Sequence, residues 1–92
     1  MSVIDIHRTH TMDKQHAREA AETLAADLSN RFDVNYAWEG DVMKFKRSGV
    51  QGQLTINHGD LHVYLELGLL LRPMKGRIEQ EIESQLDQII RV

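Results

Sequence analysis

From Asp33 to Gly68, hydrophobic side chains fall on alternate positions. Val34, Tyr36 and Trp38 share one parity, as do Met43 and Phe45, then Val50, Leu54 and Ile56, then Leu61, Val63, Leu65 and Leu67. Three glycine-containing pairs, Gly40–Asp41, Ser48–Gly49 and His58–Gly59, interrupt the alternation. Period-two patterning bounded by such pairs is the sequence form of a half-buried antiparallel meander. It predicts strands at Asp33–Glu39, Val42–Arg47, Val50–Asn57 and Leu61–Leu67. The other parity carries polar residues such as Asn35, Lys44, Gln53, Thr55 and His62, so the second sheet face is expected to be solvated. Gly52 falls on the inward parity. A glycine there forfeits packing and marks a bulge, a bend or a close backbone approach. The first helix is expected to cross the sheet at that point.

That helix follows a possible cap at Thr11 or Asp13. Ala17, Ala20, Ala21, Leu24, Ala25 and Leu28 recur at helical spacing, with Lys14, Glu19, Glu22 and Asp27 largely opposite. The alanine stripe predicts close approach to the sheet. Asn30 is the expected stop, and Phe32 closes the end of the core. Before the helix, Ile4 and Ile6 mark a short edge strand over Ser2–Arg8. After Gly68, Pro73 suits a first helical turn. Met74, Ile78, Ile82, Leu86, Ile89 and Ile90 then define a second amphipathic helix. The order β-α-β-β-β-β-α predicts a two-layer α+β fold, a five-stranded antiparallel sheet with both helices on one face. It looks like a reduced version of the helix-grip architecture of START and polyketide-cyclase-like lipid-binding domains, and such a likeness does not fix function.

Ninety-two residues predict one domain over residues 1–92 with a modest core. The absence of cysteine excludes disulfides, thiolate chemistry and a cysteine zinc site, and it fits a reducing cytoplasm. Residues 1–10 lack the basic and apolar regions of a signal peptide, and no apolar run approaches a membrane span. A net charge of −3 argues against general nucleic-acid binding.

Candidate chemistry is sparse. His7, His10, His16, His58 and His62 show no helical i, i+4 pairing of the zinc-protease kind, so they read as surface or turn residues and no metal is expected. Glu39 with Asp41, and Glu79, Glu81 and Glu83, read as solvated carboxylates. Ser48-Gly49 is a turn and not a nucleophile elbow. Ser48-Gly49-Val50-Gln51-Gly52 lacks the Lys-Ser/Thr of a phosphate loop. No catalytic residue and no cofactor are expected. Arg72, Lys75 and Arg77 gather at the start of the second helix, where an anion would be attracted. Leu69, Leu70 and Leu71 cannot all point at one core, and exposed apolar patches often mark contact surfaces. Trp38, Tyr36 and Phe45 are candidates to line a small cavity beneath the alanine stripe, against the simpler reading of a packed core.

Several phrases carry a family resemblance. They are His10 with Ala17-Arg18 and Ala20-Ala21-Glu22; Tyr36-Ala37-Trp38-Glu39-Gly40-Asp41; Gly49-Val50-Gln51-Gly52; and Leu67-Gly68-Leu69-Leu70-Leu71-Arg72-Pro73-Met74-Lys75, with Ile78-Glu79 and Leu86-Asp87 beyond. In order and spacing the chain resembles the small polyhydroxyalkanoic acid system proteins. The resemblance implies storage-polyester metabolism in a bacterial cytoplasm and supplies no catalytic residues. It points to a non-enzymatic accessory or binding protein that contacts a granule surface, a granule protein or an acyl-type ligand. The alternatives are a cyclase-like enzyme or acyl carrier with a pocket between sheet and helices, and a structural homodimer using the connector leucines or the edge at Ser2–Arg8.

Overall fold

The computed structural model describes residues 2–89. Strand β1 (Ser2–Thr9) leads into helix α1 (Lys14–Phe32). Strands β2 (Asn35–Glu39), β3 (Val42–Arg47), β4 (Val50–Asn57) and β5 (Asp60–Leu67) form the meander. A short 3-10 segment (Leu69–Met74) then joins helix α2 (Lys75–Ile89). The strands form one antiparallel sheet in the order β1-β5-β4-β3-β2. The α+β class and the order read from the sequence are those observed. Ile90 lies outside the described residues.

The core explains the arrangement. Inward residues of the strands, Ile4, Met43, Phe45, Leu54, Leu61, Val63 and Leu67 among them, bury against Ala17, Leu24, Ala25 and Leu28 of α1 and Ile78, Ile82 and Leu86 of α2. Both helices therefore cover the same sheet face. Outside the core, Arg8 ties β1 to α2 through Asp87 at 2.7 Å, and Arg31 joins α1 to Glu81 of α2 at 3.2 Å.

One local expectation is corrected. Helix α1 does not stop at Asn30. It continues through Phe32 and ends where Asp33 turns left-handed, φ 59 and ψ 38, its N–H donating to the Ser29 carbonyl at 3.0 Å. Aspartate tolerates this conformation better than most non-glycine residues. The same turn delays β2 until Asn35. At Gly52 the closest approach is made by the neighbouring strand. A Cβ there would sit 2.1 Å from the Tyr64 carbonyl oxygen of β5. The space is taken by the neighbouring strand.

Asp13 caps α1, its Oδ1 accepting the His16 N–H at 2.8 Å and lying 2.7 Å from His16 Nδ1. The hydrogen bonds from the His16 backbone and ring hold the Asp13 carboxyl below its ordinary 3.8. The hydrogen bond to Asp13 holds the His16 imidazole above its ordinary 6.5. The histidine contribution is complete below pH 6.5 and fades as pH rises through the raised value. The aspartate contribution is complete above pH 3.8 and fades as pH falls through the depressed value. Both are complete together only between pH 3.8 and pH 6.5. In an NMR titration, His16 is expected to show a midpoint above 6.5 that falls back in Asp13→Asn. An unchanged midpoint in that variant would contradict the pairing.

Candidate functional site

The connector after β5 owes its exposed surface to backbone geometry. A 3-10 segment has about three residues per turn, so positions three apart share a face. Leu71 and Met74 share the inward face and pack against the core. Leu69 and Leu70 are left outside, 78% and 88% exposed. The segment is anchored at its start, where Gly68 N–H donates to the Gly49 carbonyl at 2.8 Å and Leu71 N–H to the Gly68 carbonyl at 3.1 Å. Gly49 has φ +86, and the space a Cβ would enter lies 3.4 Å from Leu71 Cδ1. The Ser48–Gly49 turn is thus both the hairpin and the seat of the connector. Pro73 sits inside the 3-10 segment, and α2 starts two residues later at Lys75. Arg72 and Arg77 are exposed, and Lys75 is half-buried. Arg72 lies in the same 3-10 segment as the leucines, and Lys75 and Arg77 lie in the first turn of α2 that follows it.

Behind the connector, Leu28, Phe32, Val50, Leu67, Leu71 and Met74 help enclose an apolar gap of about 10 Å³. A single water needs about that much room and polar partners as well. An acyl chain needs far more. Between the described parts of sheet and helices this gap offers no enclosed ligand chamber.

The aromatic candidates lie elsewhere. Phe45 is 1% exposed inside the core. Tyr36 and Trp38 are half-buried on β2. Trp38 is covered by α1, with the Arg18 guanidinium 4.0 Å over its ring and its Nε1 donating to Glu22. Arg18 is itself held by the Gly40 carbonyl at 2.8 Å. Trp38 adjoins the Gly40–Asp41 turn and Leu71 adjoins Gly49, opposite ends of a strand roughly 20 Å long at about 3.3 Å per residue. The structure therefore puts Leu69 and Leu70 in the connector, at the end of the sheet away from Trp38. It also joins Asp5 and His62, 57 positions apart in the chain, in a contact no local spacing signals.

The fold defines a two-layer α+β protein, a five-stranded antiparallel sheet with two helices packed on one face. The family model for polyhydroxyalkanoic acid system proteins matches residues 4–90, and the chain belongs to that family. No curated protein and no solved structure matches the chain. Among the described residues no helix is long and apolar enough to cross a membrane.

Proposed function

We propose that this protein is a non-enzymatic accessory protein of polyhydroxyalkanoate storage in a bacterial cytoplasm, and that it contacts the granule surface through Leu69 and Leu70. The observation that carries this reading is the exposure of two adjacent leucines on an anchored segment. Burying both even halfway would contribute about 2–3 kcal/mol, a factor of roughly 30–150 in partition. Arg72, Lys75 and Arg77 would add attraction to an anionic coat. The filled interior favours this surface role over an acyl carrier or a cyclase-like enzyme, both of which need a chamber.

Co-sedimentation with purified granules tests the reading. Leu69→Ser with Leu70→Ser is expected to lower the granule partition coefficient by the same factor of roughly 30–150 while leaving circular dichroism unchanged. Undiminished binding would sink the proposal. So would a variant that turns a dimer into a monomer yet still binds granules, because the patch would then be a self-association face.

A further inference from the structure

A second constellation lies on the outer face of the sheet. β1 pairs with β5 so that His7 stands opposite His62 and Asp5 opposite Tyr64. Alternation along β1 puts Asp5 and His7 on one face, with Ile4 and Ile6 buried on the other. The two imidazoles stack, ring centroids 3.9 Å apart and planes 9° from parallel. Nε2 of both rings is directed at the same oxygen, Asp5 Oδ1, at 2.6 Å from His62 and 3.7 Å from His7. Nδ1 of His7 lies 3.3 Å from Asp60 Oδ2. A carboxylate can only accept, so that contact places the hydrogen on Nδ1 and leaves the lone pair of a neutral ring on Nε2. That lone pair faces the Asp5 carboxylate at 3.7 Å. By the same rule the 2.6 Å contact puts a hydrogen on His62 Nε2, and a cation entering between the three groups would displace that proton.

We propose that Asp5 Oδ1, His7 Nε2 and His62 Nε2 form a binding site for a divalent first-row transition cation of the zinc class. The candidate ligand atoms all lie within 4.8 Å of one another. A tetrahedral zinc centre with bonds of about 2.0–2.2 Å separates its ligands by roughly 3.3–3.6 Å. Small side-chain rotations that unstack the rings close the difference. Two imidazoles and one carboxylate suit zinc, cobalt, nickel or copper better than magnesium or calcium. Asp60 stands behind His7 as the outer carboxylate that orients a metal-binding imidazole and fixes its tautomer. The site opens to solvent, with the His7 and Asp5 side chains 62% and 52% exposed, so water would complete the coordination. A bound ion would clamp the edge strand β1 to β5.

The test uses the full chain without an affinity tag, stripped of metal by chelation. Calorimetric titration with zinc chloride is expected to show one saturable site per chain, and cobalt(II) to give the visible absorption of a low-coordinate centre. Zinc should raise the melting temperature, and the rise should continue with the logarithm of free zinc beyond saturation. His7→Ala and His62→Ala should each weaken binding by more than the 10–100-fold that loss of an outer-shell partner typically causes, and Asp60→Asn by about 10–100-fold. His58→Ala, in an exposed turn, should change nothing. In the unsubstituted protein the ring ¹⁵N signals of His7 and His62 should move together on adding zinc, a readout that needs no variant to fold. The proposal is overturned by the absence of saturable zinc or cobalt binding. It is overturned equally by binding that survives both histidine substitutions, or by zinc shifting the other histidines instead.

Discussion

Gly52→Ala is expected to unfold the protein or to cost it about 3 kcal/mol or more, beyond the usual range of core overpacking. The added Cβ would meet the Tyr64 carbonyl oxygen at 2.1 Å and the Leu65 Cα at 2.8 Å. Both are backbone atoms, so no rotamer change relieves them. Gly52 is paired with Phe45 on one side and Leu65 on the other, in the middle of the sheet. Relief requires β4 to part from β5, and that junction lines up Leu54 with Val63 in the core. A domain of this size has a total stability of about 5–15 kcal/mol. At about 4–8 °C per kcal/mol, the melting temperature should fall by roughly 12–24 °C. Thermal unfolding followed by circular dichroism measures this directly. Gly76→Ala serves as the control, because nothing lies within 4 Å of its Cβ position near the start of α2. A Gly52→Ala protein that melts with wild type would refute the close approach.

The meander was legible because its signal is local. The β3 and β4 limits follow from alternation and turn pairs, and Met43, Phe45, Leu54 and Val63 bury as their parity demands. The end of α1 was not legible. Asn30 is a common stop, yet Phe32 still gains burial by remaining helical, and Asp33 tolerates the left-handed turn that follows. Gly52 showed itself as a point of close approach, and the meander already set β5 beside β4; alternation does not encode how near the two backbones run. The Asp5–His7–His62 cluster was hidden because the strand that flanks β5 on its other side is not set by periodicity. Its members sit on the first and last strands of the sequence, and only the pairing of β1 with β5 brings them together. Outward parity of His7 and His62 was the available signal, and it needed a register to become a site. The connector was legible in part. Three consecutive leucines announced that some would be exposed, and the three-residue period of the 3-10 turn decided which.

Phe45→Ala is expected to cost about 3–5 kcal/mol, the range for emptying a buried aromatic site. The ring is 1% exposed and lies between Tyr36 of β2 and Gly52 of β4 in the register. Gly52 supplies no side chain to collapse into the space, so little of the cavity would close. Trp38→Ala should cost roughly half as much, because that ring is only half-buried and its Arg18 contact at the surface contributes about 0.5–1 kcal/mol. Urea unfolding of the two variants measures both losses. The comparison also separates fold from function at the aromatic positions. Phe45 has no surface to offer a partner, so Phe45→Leu should lose stability and keep granule binding. Trp38 is the chain's only tryptophan, and its emission reports the α1 seam. If granules bind through Leu69 and Leu70, at the far end of β3, that emission should stay unchanged on binding. A shift in Trp38 emission that survives Leu69→Ser with Leu70→Ser would move the contact surface to the α1–β2 seam and away from the connector.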